Sequence, residues 1–362
     1  MRIFRVALTG DYLDATGAVA YGDISLSLWD DVPFLRYHFL HEQAPQKDDL
    51  GYWNRYYSLR VQPEHIAGVN GLVVLRPWVQ RDTFENGAGD LVVIGRSGAG
   101  YDKIDVAACT ENDVALFNAP LALNHPTASA ALLLMLALAK RLHAQEKIMR
   151  EGRWDLQASV MGEEIQGRTL GIIGLGHSGR ELARLVSPFQ MRILAYSPHA
   201  DPAQAAQLGV ELTSLEDLMR QADFVSLHAR LTASNRHLLG AKELALLKPT
   251  AYLINVARGA LIDQAALVDA LRAGRFAGAG LDVFEAEPPS LDDPLFELDN
   301  VIITPHWLAS TRDVWQASGQ AMALGMLRAA RGQLPENIVN PEVLQRPGFR
   351  AKLARFAENA AT

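Results

Sequence analysis

Apolar positions in this chain fall in short runs separated by polar, glycine-rich or helically patterned stretches. The clearest run is Leu170-Gly171-Ile172-Ile173. It breaks into Gly174-Leu175-Gly176-His177-Ser178-Gly179, after which Leu182, Leu185, Val186 and Phe189 recur at helical spacing. The pattern predicts a buried strand, a glycine turn and a helix packed on one face. Further apolar runs at 193–196, 224–227, 252–256, 281–284 and 301–304 predict more strands, with a helix over 263–274 that Asp263 caps and Gly274 stops. Strand alternating with helix predicts a parallel, doubly wound sheet. Runs at 4–8, 72–75, 91–94 and 115–117 predict a second α/β unit without its own phosphate turn. Residues 42–57, polar and then aromatic, predict a loop or cleft wall. A helix is expected over 311–330, and a mixed-charge amphipathic segment over 349–361. Both ends of the chain would then serve one domain, 1–122 completed by 311–362, with 123–310 inserted between them.

The bulk numbers narrow the class. At 362 residues, two domains are expected. A net charge of −7 argues against nucleic acid or an anionic membrane as partner. The N-terminus alternates like a strand and lacks the apolar core of a signal peptide. The longest apolar run, 130–139, is shorter than the ~20 residues of a membrane span and is apolar on all sides, so burial between elements, domains or subunits is expected. One cysteine, Cys109, allows no internal disulfide and suits a reducing cytosol, either as a buried hydrophobe or as a reactive thiol. The expectation is a cytoplasmic protein.

The glycine turn carries the first chemistry. Strand, Gly-x-Gly-x-x-Gly and helix in order form the dinucleotide-binding fingerprint. Gly174 permits the turn, Gly176 lets the backbone approach a pyrophosphate, and Gly179 lets helix and strand close up. Free amides of the first helical turn, at His177 and Ser178, face the anion. Three polar residues then follow three predicted strands: Arg258, Glu287 and His306. Ligands of open parallel sheets bind outside the carboxyl ends of the strands. The trio suits hydride transfer between a nicotinamide and an alcohol or ketone. His306 would exchange the hydroxyl proton, Glu287 would orient the imidazole, and Arg258 would polarise the carbonyl and hold a carboxylate. Each also has a plainer reading: a strand-capping histidine, a turn-starting glutamate, a surface ion-pair arginine.

At these residues the chain resembles the D-isomer-specific 2-hydroxyacid dehydrogenases. The matching pieces are Gly167-Arg168-Thr169-Leu170-Gly171-Ile172-Ile173-Gly174-Leu175-Gly176, Asn255-Val256-Ala257-Arg258-Gly259, Gly280-Leu281-Asp282-Val283-Phe284-Glu285 and Thr304-Pro305-His306. Arg96-Ser97-Gly98-Ala99-Gly100-Tyr101-Asp102 and Asn337-Ile338-Val339-Asn340-Pro341 also match, so the resemblance spans about residues 70–342. It implies a Rossmann-type NAD(P) domain inserted into a flavodoxin-like substrate domain with a cleft between them, and a homodimer acting on a small 2-hydroxy or 2-oxo acid. It also implies Arg258, Glu287 and His306 as the catalytic set. Amides near Ser97, Gly98 and Ala99 would grip the substrate carboxylate, Val256 and Ala257 would line the cofactor site, and Asp282 would meet the nicotinamide carboxamide.

The departures are specific. Ser197 stands where the family often has an acidic residue that bonds the adenosine ribose, and Arg230 where proline is usual near the adenine, so either NAD or NADP is expected as cofactor. Trp307 follows His306, where smaller residues are common, and would line the substrate pocket or fill a core. Thr127-Ala128-Ser129 replaces a common Val-Ala-Glu. His38 and His41 with Glu42 suggest a metal site on a helix, but no third ligand is evident, so no metal is expected. Two other functions remain open: a formate or phosphite dehydrogenase on a similar scaffold, and a nucleotide-sensing co-repressor.

Overall fold

In the computed structural model, which describes residues 1–47, 49 and 51–361, the chain forms two compact units. Unit 1 is Met1–Leu123 together with the chain from Ser310 on, and unit 2 is Asn124–Ala309. Asp48 and Leu50, within the loop expected over 42–57, lie outside the described residues, as does Thr362.

Unit 1 holds a five-stranded sheet of β1 (Phe4–Leu8), β2 (Leu35–Phe39), β3 (Gly71–Val74), β4 (Val93–Arg96) and β5 (Ala115–Asn118), in the order β2-β1-β3-β4-β5. Every pairing is parallel. This is the flavodoxin-like order. Ala7, Leu72, Ile94 and Leu116 meet in its core with Cys109, which is fully buried. The C-terminal segment completes the unit. Phe356 packs edge-on against Phe4 at 4.9 Å, and the Asn359 side chain bonds both backbone groups of Arg2.

Unit 2 holds β6 (Thr169–Ile173), β7 (Arg192–Tyr196), β8 (Val210–Leu212), β9 (Phe224–Leu227), β10 (Tyr252–Asn255), β11 (Gly278–Leu281) and β12 (Val301–Ile303). Their order, β12-β11-β10-β9-β6-β7-β8, is the Rossmann order with one strand added, and its direction reverses between β6 and β9. Side chains alternate between two cores. Leu194, Val225, Leu253 and Ala279 fill one, and Ile193, Ala195, Phe224 and Ile254 fill the other. Both faces of a parallel sheet are covered in this way.

Four helices matter below: α1 (Pro120–Ala139), α2 (His177–Val186), α3 (Gln264–Arg272) and α4 (Arg312–Ala330). Asp263 caps α3 by accepting the Ala266 amide, as its place in the sequence requires. α1 is twice the length of the apolar run that announced it and is long and apolar enough to cross a membrane by composition. Its Ala131, Leu134, Met135 and Leu138 instead join the core with Leu170 and Ile172. The expectation of burial on all sides is corrected at Leu133, which is 51% exposed.

Other corrections concern register. The strand expected at 281–284 is β11, which runs Gly278–Leu281 and pairs Gly280 with Ile254. A Cβ on Gly280 would sit 3.0 Å from the Leu134 Cβ, so α1 requires small residues there, and such a strand carries no apolar run. Strands β3 and β4 are displaced by one and two residues from the runs at 72–75 and 91–94. His38 lies on β2 and not on a helix with His41, and no cluster of metal-ligating residues occurs among the described residues.

Candidate active site

The glycine turn has the geometry of an anion cradle. Gly174 adopts φ +96°, and a Cβ there would lie 2.5 Å from the Ala229 amide nitrogen. A Cβ on Gly179 would fall 2.3 Å from the Gly174 carbonyl oxygen, which brings α2 against the turn. Gly176 occupies the N-cap of α2, where a Cβ would meet nothing within 4 Å, so the approach to the helix end is open. No side chain caps that end among the described residues, which leaves the amides of His177, Ser178 and Gly179 to an anion. These residues fit the pyrophosphate of a dinucleotide. Ser197 follows β7 and Arg230 follows β9, the two neighbours of β6; Arg230 is exposed and its carbonyl accepts from the Asn235 amide at 2.8 Å.

Arg258, Glu287 and His306 lie on loops after β10, β11 and β12, three adjacent strands of the same sheet. Glu287 and His306 are in contact, with Nδ1 of the imidazole 3.0 Å from Oε1 and 2.9 Å from Oε2. The carboxylate also accepts the Phe284 amide at 3.2 Å. Burial pushes the Glu287 carboxyl up, but the bond and charge of His306, the Phe284 amide and the Arg258 charge together hold it below its usual range. An acceptor at Nδ1 fixes the tautomer, so Nε2 is the nitrogen that exchanges a proton. The Arg258 loop is tied to the Glu287 loop at Gly259, where a Cβ would fall 1.9 Å from the Phe284 carbonyl carbon. Arg258 donates to the Ala257 carbonyl, Val256 is buried, and Ala257 donates to Asn255 Oδ1.

Asp282 is 3% exposed, and its Oδ1 accepts from the Thr304 hydroxyl at 2.6 Å, from the Trp307 amide at 3.0 Å and from the Leu308 amide at 3.2 Å. It clamps the loop that carries His306, whose φ of +52° is a left-handed conformation uncommon outside glycine. The Trp307 amide is part of this clamp, and its indole is half-buried.

Ser97, Gly98 and Ala99 belong to unit 1, directly after β4. The Ser97 amide donates to the Val74 carbonyl at 2.9 Å and so is already engaged within unit 1. The Ser97 hydroxyl lies 2.9 Å from that of Ser318 on α4, and Asn118 donates to the Ala99 carbonyl at 2.7 Å. A polar cluster missed in the sequence follows the neighbouring strands. After β1, Asp11 accepts the Arg76 amide at 3.0 Å, and the Arg76 guanidinium, which follows β3, lies 5.0 Å over the Tyr56 ring. Burial pushes the Asp11 carboxyl up, against the pull of Arg76. Its signal was available, since both residues follow strand runs as Arg258 and His306 do. His228, just past β9, was also missed, because a lone buried histidine leaves no pattern.

Comparison with known proteins agrees with this geometry. The sequence model of the D-isomer specific 2-hydroxyacid dehydrogenase NAD binding domain matches residues 132–307. The chain is 43% identical over 263 residues to a D-3-phosphoglycerate dehydrogenase of Methanocaldococcus jannaschii, a match that covers 72% of this chain and half the length of that relative. It is 38% identical over 299 residues to a glyoxylate reductase of Korarchaeum cryptofilum, covering 81% of this chain and 90% of that one. The crystal structure of a glyoxylate reductase from Paecilomyes thermophila superposes with a TM-score of 0.77 at 28% identity, over 94% of this chain and 100% of that one. This chain belongs to the D-isomer specific 2-hydroxyacid dehydrogenase family of NAD-dependent oxidoreductases.

Proposed function

We propose that the protein interconverts a small 2-hydroxy acid and its 2-oxo acid, with His306 as acid and base. The Nδ1–carboxylate pair of His306 and Glu287, on the same sheet end as the glycine turn, carries this reading. A bound nicotinamide supplies the hydride acceptor or donor. In the oxidative direction His306 Nε2 removes the C2 hydroxyl proton. Glu287 stabilises the imidazolium that results, and in the reductive direction the same nitrogen returns the proton to the carbonyl oxygen. Arg258 holds the substrate carboxylate and carbonyl by its planar fork of donors. Unit 1 serves as the substrate domain, with amides of its own at Gly98 and Ala99, and unit 2 as the NAD(P) domain. Ser197 and Arg230 together leave room for NADP as well as NAD.

The proposed assembly is a cytoplasmic homodimer. Leu133, Leu142, Met149, Trp154 and Met161 lie within one stretch of unit 2 and are 51%, 56%, 55%, 65% and 76% exposed, an apolar surface suited to a second copy of the chain.

The deciding experiment assays glyoxylate, hydroxypyruvate, pyruvate and branched and aryl 2-oxo acids with NADH and NADPH separately. Reduction of at least one, abolished in His306→Ala, is the expected result. Oxidation of formate or phosphite with no 2-oxo acid reduced would overturn it in favour of that chemistry. Cofactor binding without turnover would favour a sensor.

A further inference from the structure

Beneath the glycine turn runs a buried hydrogen-bond chain that the proposed catalytic set does not use. Ser226, fully buried on β9, has its hydroxyl 2.9 Å from His228 Nε2, and His228 Nδ1 lies 3.1 Å from the Ser178 hydroxyl. Ser178 is the second residue of α2. His228 is locked in place by its backbone. Its amide donates to the Ile173 carbonyl at 2.7 Å, and the 228–229 peptide packs so closely on Gly174 that no Cβ fits between them. This is the point where strand order reverses between β6 and β9, the crevice in which open α/β sheets take their ligands.

Burial alone lowers the His228 imidazole to about 4, so at neutral pH the ring is uncharged, with one donor and one acceptor nitrogen. Only two arrangements satisfy both serines. In one, Ser226 donates to Nε2 and Nδ1–H donates to Ser178, whose own hydroxyl proton is then available to a third group. In the other, Ser178 must donate to Nδ1, and its oxygen presents only lone pairs to the helix end. An anion at the N-terminus of α2 is bonded by the first arrangement and repelled by the second.

We infer that His228 is a positioning residue for the cofactor's pyrophosphate: in its Nδ1–H form, with Ser226 donating to Nε2, it makes the Ser178 hydroxyl a phosphate donor beside the amides of His177–Gly179. The inference rests on the reading of the turn as a dinucleotide site, but it concerns binding and not turnover.

The test is calorimetric titration of the full-length protein with NADH, ADP-ribose and adenosine. Ser178→Ala should weaken NADH and ADP-ribose by about 10-fold, the loss expected for one hydrogen bond to a charged group, and leave adenosine unchanged. His228→Leu should cause a similar loss, and the double variant should lose no more than either single one. His228→Asn, whose amide can replace Nδ1–H, should recover most of the affinity. NADH affinity unchanged in Ser178→Ala, or additive losses in the double variant, would overturn the inference. Equal weakening of adenosine would show a merely structural role and overturn it too. Failure of the wild type to bind NADH and NADPH would instead remove the dinucleotide reading beneath it, whatever the variants do.

Discussion

The Thr304 hydroxyl donates to Asp282 at 2.6 Å, the shortest of the bonds by which one buried carboxylate gathers the loop that carries His306. The His306 backbone is left-handed, a conformation that costs an L-residue roughly 1–2 kcal/mol and persists only where its surroundings over-determine it. Asp282→Asn removes the charge that holds three donors, and should lower stability by about 1.5–3 kcal/mol. Tm and kcat should fall together, as read by thermal unfolding and steady-state assay. A loss of NADH affinity at unchanged Tm would assign Asp282 to the nicotinamide carboxamide instead.

His306→Ala should reduce turnover by roughly 10²–10⁴, the contribution of a placed acid or base, with the Kd for NADH nearly unchanged. Glu287→Gln should lower kcat for 2-oxo acid reduction, because the carboxylate that orients the His306 imidazole is gone. Stability gives a second readout. Glu287 is held below its usual range in the fold, so it stabilises the protein above about pH 4.3, the ordinary glutamate value, and the contribution is lost as pH falls through the lowered value. The Tm difference between wild type and Glu287→Gln should therefore be present at pH 6 and shrink on acidification.

Arg258→Lys keeps the charge and loses the planar fork. KM for the 2-oxo acid should rise and kcat should fall together in steady-state kinetics. A variant impaired only in Tm would return Arg258 to a structural role.

Cofactor choice should respond at two positions. Ser197→Asp places a carboxylate at the end of β7, where it accepts from ribose hydroxyls and repels a 2′-phosphate, so KM for NADP should rise while that for NAD holds or falls. Arg230→Ala should weaken NADP and leave NAD unchanged. Strong NAD preference in the wild type, unaltered in both variants, would mean that other residues read the ribose.

A charge on the exposed apolar stretch of unit 2 should separate protomers. Trp154→Glu combined with Met149→Glu should convert a dimer to a monomer in light scattering, because two carboxylates cannot be desolvated against apolar neighbours without a partner. A wild type already monomeric at micromolar concentration would remove the dimer proposal.

The sequence made the inner strands of both sheets legible because they are buried on both faces and read as continuous apolar runs. Two of the four edge strands, β2 and β8, were not. Along β2 three of five residues, Arg36, Tyr37 and His38, are exposed, and β8 is only Val210-Glu211-Leu212. Neither offers a run to detect. β11 escaped for the opposite reason: Gly278-Ala279-Gly280 is deeply buried and small, because α1 and the strand beside it leave no room for side chains. The glycine turn, Arg258, Glu287 and His306 stood out because each comes soon after an apolar run that reads as a strand. His228 did too, yet what sets it apart is its pair of hydroxyl partners, one two residues away and one 50 residues away, and that pairing exists only in the fold.

Unit 2 is one unbroken stretch of chain, whereas the sheet of unit 1 needs α4 and the Phe356 and Asn359 contacts from the far end of the sequence. During synthesis the nucleotide-binding half is therefore complete on the ribosome while the first half of the chain still waits for its last helices. A nascent chain that has emerged only as far as Ala309 would already carry its glycine turn, but Phe4 would have no Phe356 to pack on.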